Sequence, residues 1–169
     1  EKITKFGNIL LESLDTFSPY EIRKHYSEPL NKMSKSSDQN LMRVIHYPPL
    51  RDSDHPDEIR AAAHTDINLI TLLISGSQPG LQVMDKNKNW INIKSKKGQI
   101  VINTGDMLRE CSNGYFPSTI HRVINPEIKK NVSRFSIPLF FHPRGDVVLS
   151  KKYTADEYLS KRLKEIGLK

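Results

Sequence analysis

The stretch from residue 41 to residue 150 alternates short apolar segments, rich in Ile, Val and Leu, with clusters of Gly, Pro, Asn and Ser. Apolar runs of about four to eight residues that end at such turn-forming residues are typical of β-strands. The segments that we predict to be strands are 41–47, 69–74, 81–84, 90–93, 99–103, 119–124, 132–141 and 147–150. Because no helical pattern separates them, we expect an all-β sandwich or barrel rather than a doubly wound α/β sheet.

Helices are predicted only at the two ends of the chain. Apolar residues recur every three or four positions in residues 1–17, which is the pattern of an amphipathic helix. Ser18 and Pro19 can start a second, short helix that runs to about Tyr26, because Ser caps helices and Pro is tolerated in the first turn. A closing helix is predicted in residues 153–168.

The fold class expected is therefore mainly β, a double-stranded β-helix (jelly roll) with flanking N-terminal helices and a C-terminal helix. The predicted organisation is a helical flank in 1–40, a jelly-roll core in 41–150 and the C-terminal helix in 151–169. The polar segments 31–40 and 106–118 are predicted to be irregular loops. A jelly roll suits a binding function, because its two sheets face each other and residues from distant strands can meet between them.

Composition bounds the class of protein. No apolar run approaches the roughly 20 residues that span a bilayer, and no secretory signal pattern is present, so we expect no membrane association. Cys111 is the single cysteine of the 169 residues, which excludes an intrachain disulfide and favours a reducing, cytoplasmic location. The chain does not begin with Met and starts inside a predicted helix, so we expect a processed chain or a fragment.

The net charge is +7, from 26 Lys and Arg against 19 Asp and Glu. An excess of this size attracts anions such as nucleic acids, membrane surfaces or small carboxylates. The basic residues are scattered through predicted turns, for example at Lys86, Lys94 and Lys129, without the interleaved aromatic residues that stack on bases. We therefore expect these basic residues to lie mostly in solvated loops and expect no nucleic-acid partner, and we make no prediction of the oligomeric state.

Three residues in or beside the predicted strands have the chemistry of a metal site. His64 and Asp66 are two positions apart, so along an extended chain their side chains point to the same face. His121 lies in a separate strand-like segment and is the best candidate for a third ligand. Two imidazoles and one carboxylate on one side of a metal leave other coordination positions open, as non-haem Fe(II) oxygenases require.

A second group of residues lies on one face of the predicted strand 132–141. Arg134 and Ser136 would present a guanidinium and a hydroxyl together, an arrangement suited to a carboxylate. Phe140 lies on the same alternation and either lines a substrate pocket or packs in the core.

The other histidines are weaker metal candidates. His25 lies in a predicted helix, His55 in an acidic loop, and His142 beside a proline. His46 alternates with Tyr47 along a predicted strand, so the two side chains should point in opposite directions.

Seven short motifs occur in order along the chain. They are His46-Tyr47-Pro48-Pro49, His64-Thr65-Asp66, Gly80-Leu81-Gln82-Val83 with Trp90, Asn103-Thr104-Gly105-Asp106-Met107-Leu108, Ser112-Asn113-Gly114, His121-Arg122-Val123 and Arg134-Phe135-Ser136. Over residues 41–141 this set resembles the isopenicillin N synthase-like branch of the Fe(II)/2-oxoglutarate-dependent oxygenases. The resemblance implies an enzyme that uses Fe(II), O2 and 2-oxoglutarate to oxidise a C–H bond of a small molecule, by hydroxylation, desaturation or ring closure.

The resemblance also implies roles for single residues. His64, Asp66 and His121 would be the iron ligands, and would also be the catalytic residues. Asp106 and Asn113 match the family, and we expect them to set turns rather than to take part in the chemistry.

For the cosubstrate, the resemblance implies that Arg134 and Ser136 bind the distal carboxylate of 2-oxoglutarate and that Tyr47 also contacts it. Members of the family often have Asn two positions before this Tyr, where the present chain has Ile45.

Two alternatives stay open at this level. One is an iron-dependent oxidase of the same fold that does not use 2-oxoglutarate. The other is a non-catalytic jelly roll that binds a metal, a carbohydrate or a partner protein. In the family this domain usually follows an N-terminal region that can contribute to the substrate site, and we expect the present sequence to open at the last helices of that region.

Overall fold

The β-strands form two antiparallel sheets in the computed structural model, which describes residues 1–51, 58–74, 76–94, 96 and 98–168. In chain order the strands are β1 Leu41–Met42, β2 Ile45–Tyr47, β3 Ala61–His64, β4 Ile70–Ile74, β5 Leu81–Met84, β6 Trp90–Asn92, β7 Ile100–Thr104, β8 His121–Val123 and β9 Arg134–Phe141. The large sheet has the order β1-β9-β4-β7, with β2 also paired to β9. The small sheet has the order β3-β8-β5-β6.

The helices lie mainly outside the strand region. They are α1 Lys2–Phe17, α2 Tyr20–Arg23, α3 Leu30–Ser34, α4 Asp106–Cys111 and α5 Ala155–Glu165. A 3-10 turn, Ile128–Lys130, precedes β9. Helix α5 begins with a capping box, in which the Thr154 side chain and the Glu157 side chain each bond the backbone N–H of the other residue.

The two faces of the large sheet have different surroundings. Leu72 of β4 pairs with Leu139 of β9, and both belong to the buried apolar cluster that also contains residues of α1 and α3. Helix α1 comes so close to the sheet that a Cβ on Gly7 would lie 2.0 Å from the ring of Phe141. Side chains one position along the strands, such as Thr71 and Leu73, point the other way and line a cavity between the sheets.

The predicted fold class is confirmed, because a mainly β jelly roll carries helices at both ends. The predicted hairpin of β5 and β6 is also confirmed, with Met84 paired to Trp90 across the polar tip. The division into 1–40, 41–150 and 151–169 stays a prediction. No helix among the described residues is long and apolar enough to cross a membrane.

Three sequence-based expectations are wrong. Residues 31–40 are not all loop, because α3 begins at Leu30 and buries Leu30 and Met33 in the core. The segment 106–118 is not all irregular, since α4 opens it; a short helix therefore does lie between the strands. The predicted last strand, 147–150, is reduced to an isolated bridge between Val148 and Thr154.

Smaller differences concern element boundaries. The predicted strand 41–47 is broken into β1 and β2, and the helix expected to reach Tyr26 ends at Arg23. The acidic loop is predicted for residues 50–60, and its residues 52–57, which include His55, lie outside the described part of the chain.

Candidate active site

The two sheets bring three side chains with metal-binding atoms together. Strands β3 and β8 are antiparallel neighbours in which His64 stands opposite His121, and their ring centroids are 4.3 Å apart. Asp66 follows β3 by two residues, and its Oδ1 lies 3.9 Å from His64 Nε2 and 3.8 Å from His121 Nε2. One ligand atom from each residue therefore falls within 4.8 Å of the other two.

Backbone carbonyls set which imidazole nitrogen faces this point. Nδ1 of His64 lies 2.7 Å from the carbonyl oxygen of Ala62, and Nδ1 of His121 lies 3.0 Å from that of Thr119. A carbonyl oxygen can only accept, so each Nδ1 carries the proton and each Nε2 presents a lone pair. Both rings are thus held in the tautomer that a metal ligand needs.

The carboxylate of Asp66 is oriented by donors of the large sheet. Its Oδ2 accepts hydrogen bonds from Thr71 Oγ1 at 2.5 Å and from Asn103 Nδ2 at 2.8 Å. Thr71 and Asn103 stand opposite each other on β4 and β7, which explains why both reach the same oxygen. Because Oδ2 is used in this way and Asp66 is only 8% exposed, Oδ1 is the oxygen that faces the histidines.

Asp106 fixes the backbone of the same loop. Its N–H donates to the carbonyl of Asp66 at 2.8 Å, and its carboxylate accepts from Thr65 Oγ1 at 3.0 Å. The carboxylate also pairs with Arg162 of α5 at 3.3 Å. Asp106 opens α4 as well, so it does more than set a turn, whereas Asn113, at φ 50°, occupies the turn that we expected.

This donor set fits a divalent transition metal. Two imidazole nitrogens and one carboxylate oxygen on one side are the facial ligands of non-haem Fe(II) centres, and the remaining coordination positions would face the cavity. The cavity has a volume of about 260 Å³ and lies between the two sheets. Its walls include Tyr47, Leu73, Val83, Val101, Ile102 and Phe140.

Arg134 reaches the same cavity from the first position of β9. It is 2% exposed, its Nε donates to the carbonyl of Gln78 at 3.1 Å, and its Cζ lies 5.4 Å from the centre of the Tyr47 ring. Its buried Nη1 has no hydrogen-bond partner among the described residues. Burial lowers the pKa of Arg134, but an arginine starts so far above neutral pH that it stays charged. A buried cation with an unused donor is suited to bind an anion.

The other residues predicted for the cosubstrate and substrate also line this cavity. Ser136 is buried on the same face of β9 as Arg134, and Phe140 lies further along that face. Burial raises the pKa of Tyr47, so its phenol stays protonated and can donate. Ile45 pairs with Ser136 and presents an apolar side chain to the cavity.

The remaining described histidines are not part of the cluster. His46 is exposed on the outer face of β2, where its ring stacks on Phe135 and its Nε2 lies 3.0 Å from Ser133 Oγ. His25 is exposed, and His142 is half-buried, with a pKa lowered by that burial.

Sequence reasoning missed Thr71 and Asn103. Thr71 stands in the apolar run after Asp66, and Asn103 opens the Asn103-Thr104-Gly105-Asp106 motif. A polar residue at an inward position of an otherwise apolar strand is the signal that could have identified them, once β4 and β7 were paired.

A jelly roll with two histidines and a carboxylate at one end of its cavity is the arrangement of non-haem metal oxygenases. The model of the 2OG-Fe(II) oxygenase superfamily matches residues 39–143. The chain belongs to this superfamily. The predicted family is thereby confirmed, and Fe(II) and 2-oxoglutarate are the cofactors that its description names.

The similarity extends to characterised proteins and solved structures. A 2-oxoglutarate-Fe(II) type oxidoreductase of Aspergillus fumigatus is 35% identical over 108 residues, or 63% of this chain and 31% of that protein. The crystal structure of a candidate oxygenase from Shewanella oneidensis is 51% identical with a TM-score of 0.90, over 99% of this chain and 62% of that one. A full-length Neurospora crassa protein, solved in complex with alpha-KG (2-oxoglutarate) and thymine, is 26% identical with a TM-score of 0.74, over 98% of this chain and 55% of that one.

The chain spans 30–35% of the length of the first curated relatives that it matches. The activity of the whole protein is therefore taken up as a proposal.

Proposed function

We propose that this chain forms the catalytic core of a non-haem Fe(II)- and 2-oxoglutarate-dependent oxygenase that oxidises a C–H bond of a small molecule. The observation that carries the proposal is that one cavity holds both a candidate metal site and a buried cation that can bind a carboxylate. Three metal-binding atoms, from His64, Asp66 and His121, converge at one point of it. Arg134 brings a buried, charged guanidinium with an unused donor to its wall.

In this proposal His64 Nε2, His121 Nε2 and Asp66 Oδ1 hold the iron. The bound iron supplies the chemistry by which O2 converts 2-oxoglutarate to succinate and CO2 and oxidises the substrate. The chain contributes fixed geometry. Backbone carbonyls set both histidine tautomers, and the Asp66 carboxylate is oriented by the hydrogen bond that its Oδ2 accepts from Thr71. Because the three ligands occupy one side, the other side is left for the cosubstrate and O2.

Arg134, Ser136 and Tyr47 bind the distal carboxylate of 2-oxoglutarate. A charge-assisted pair between a guanidinium and a carboxylate contributes roughly 1.5–3 kcal/mol, or about one to two decades in affinity. In a largely apolar cavity this pair also fixes the direction of the cosubstrate, so that its 2-oxo acid end points to the metal site.

The rest of the cavity favours a small, partly apolar substrate. Leu73, Val83 and Phe140 give its wall an apolar character that excludes water around the reacting carbon. Its volume of about 260 Å³ is at the small end for ligand pockets and has to hold the cosubstrate as well. That a structural relative binds thymine is consistent with a substrate of this size. Hydroxylation, desaturation and ring closure are all compatible with this cavity.

Equilibrium binding tests the cosubstrate role directly. Calorimetric titration of 2-oxoglutarate into protein loaded with Mn(II), a redox-silent substitute for Fe(II), should show saturable binding to the wild type. Arg134→Ala should weaken it at least about tenfold while Mn(II) affinity changes little. His46→Ala is the matched control, since it removes an exposed side chain from the outer face of the neighbouring strand. Equal binding by Arg134→Ala and the wild type would refute the role of Arg134.

Turnover assays separate the alternatives. His121→Ala should lose metal binding and succinate release while it keeps the circular dichroism spectrum of the wild type. Oxidation of a substrate without consumption of 2-oxoglutarate would favour the oxidase alternative. Metal binding without any 2-oxoglutarate binding would favour a non-catalytic module.

A further inference from the structure

Arg60 lies just before β3 and joins two parts of the large sheet. Its Nη2 donates to the carbonyl of Val132 at 2.6 Å and to the carbonyl of Pro48 at 3.3 Å. A guanidinium is planar and rigid, so it can hold two carbonyl groups at a fixed separation in a way that a lysine cannot.

The two carbonyl groups lie next to the strand ends that carry Tyr47 and Arg134, the residues proposed to bind the cosubstrate. Pro48 directly follows Tyr47, the last residue of β2, and Val132 precedes Arg134, the first residue of β9, by two positions. Tyr47 and Arg134 stand opposite each other in the β2–β9 ladder. Arg60 thus ties β2 to β9 beyond the last pair of that ladder, at the place where Tyr47 and Arg134 meet.

Unused donors and positive charge also accumulate here. Arg60 Nε is buried and has no hydrogen-bond partner among the described residues, as is the case for Arg134 Nη1. Burial is the main cause that lowers the pKa of Arg134, and the nearby charge of Arg60 lowers it further. Asp66 is the only carboxylate among the described residues that line the cavity, and it is one of the three residues that could hold the metal. An anion at this end of the cavity would relieve the repulsion between the two cations.

A groove outside the cavity is lined both by Arg60 and by residues that contact Arg134. The groove is lined by Arg60 and by the loop that holds Gly76 and Gln78. Gln78 accepts the hydrogen bond from Arg134, and a Cβ on Gly76 would lie 2.8 Å from Arg134 Nη2. Arg60 therefore approaches the Arg134 end of the site from outside the cavity.

We propose that Arg60 is a positioning residue of the cosubstrate pocket: by bridging Pro48 and Val132, it holds Tyr47 and Arg134 where they receive the distal carboxylate of 2-oxoglutarate. It acts through these two residues and not by touching the cosubstrate. The inference rests on the proposed function and adds to it a determinant from outside the cavity.

The test compares two 2-oxo acids on protein loaded with Mn(II). 2-Oxoglutarate has the distal carboxylate, and 2-oxobutyrate has the same 2-oxo acid group without it. By titration calorimetry, Arg60→Met should bind 2-oxoglutarate about tenfold more weakly, because a misplaced guanidinium forms a poorer charge-assisted pair with the carboxylate and loses about one decade of affinity. Its affinity for 2-oxobutyrate should stay within about twofold of the wild type, because the metal end of the site is unchanged.

Two further variants sharpen the result. Arg60→Lys keeps the charge but not the planar fork, so it should bind 2-oxoglutarate with an affinity between those of Arg60→Met and the wild type. It also serves if Arg60→Met fails to fold. Lys130→Met is the matched control, because it removes a cation of the same groove that is exposed and paired with Glu127 at 3.1 Å; its binding should equal that of the wild type.

Two outcomes would overturn the inference. One is unchanged 2-oxoglutarate affinity in both Arg60 variants. The other is an equal loss for 2-oxoglutarate and 2-oxobutyrate, which would mean general damage to the fold or to the metal site. Failure of the wild type itself to bind 2-oxoglutarate would instead refute the proposed function, so the two failures are distinguishable.

Discussion

The support of the Asp66 carboxylate can be tested with a nearly isosteric change, Thr71→Val. Thr71 is 3% exposed, and its hydroxyl donates to Asp66 Oδ2 at 2.5 Å. The hydroxyl also accepts from Asn68 Nδ2 at 2.8 Å. The valine side chain fills the same space and removes both bonds, so the variant isolates the hydrogen bonding from the packing.

The size of the effect of Thr71→Val depends on the hydrogen bonds that Asp66 and Asn68 keep in the variant. A hydrogen bond to a charged group contributes about 1.5–3 kcal/mol, or a factor of about 10–150. Asn103 still donates to Asp66 Oδ2, so we expect the lower end: a metal affinity about tenfold weaker, as is typical for an outer partner of a ligand. The unfolding free energy should also fall by about 1–2 kcal/mol, because the buried amide of Asn68 loses one of its two acceptors.

Competition titration with Fe(II) under anaerobic conditions measures the metal affinity, and urea unfolding of the metal-free protein measures stability. Thr104→Val is the matched control: it is the same substitution on β7, but its hydroxyl bonds the carbonyl of Pro117 and not a ligand. In the double variant with Asn103→Leu, the losses should not add, since both donors hold one oxygen. Metal affinity within twofold of the wild type in Thr71→Val would show that Asp66 does not need this support.

Two other positions give measurable expectations. Burial raises the pKa of the Cys111 thiol to about 12, so above its ordinary value of 9.0 the native state holds a proton that the unfolded chain releases. Stability should therefore fall by up to about 1.4 kcal/mol per pH unit as pH rises through this window; in urea unfolding at pH 8–11 the slope should be steeper in the wild type than in Cys111→Ala by up to that amount, and equal slopes would contradict it. Gly76→Ala puts a Cβ 2.8 Å from Arg134 Nη2, and this overpacking should cost about 1–3 kcal/mol in stability or in 2-oxoglutarate binding; a variant unchanged in both would contradict the contact.

The parts of the fold that the sequence predicts well are those set by local pattern. Strand β4 is an uninterrupted apolar, β-branched run, and the β5–β6 hairpin is marked by a polar tip of five residues, Asp85-Lys86-Asn87-Lys88-Asn89. The convergence of His64, Asp66 and His121 follows from the same alternation, together with the pairing of β3 and β8. Period-two patterns identify a face of a strand, and this was enough to group the ligands.

Tertiary contacts decide the parts that were predicted wrongly. Helix α3 is polar by composition, yet the N–H of Leu30 donates a hydrogen bond to the carboxylate of Asp15 in α1, and Met33 enters the core one turn later. Helix α4 is only six residues long, too short for its buried Met107, Leu108 and Cys111 to show a clear helical period. In both segments the helix depends on packing against elements that are distant in sequence.

The same limit explains why the residues that support the Asp66 carboxylate were missed, whereas the convergence of His64, Asp66 and His121 was predicted. Thr71 and Asn103 become partners of Asp66 only through the pairing of β4 with β7, which no short motif encodes. The histidines take their orientation from carbonyls two residues back in their own segments, so that part is local.

The residues of the candidate site come from both sheets, so the site depends on the whole jelly roll. His64 and His121 belong to the small sheet, while the groups that hold the Asp66 carboxylate and the residues proposed for the cosubstrate belong to the large one. Asp66 itself lies on the connection from β3 to β4. At this residue the chain crosses from the small sheet to the large one. A metal held by all three ligands therefore ties the two sheets together at one end of the cavity. Arg134 lines the same cavity, and in our proposal it binds the distal carboxylate of a dicarboxylate whose other end reaches that metal, while Arg60 holds Arg134 in place.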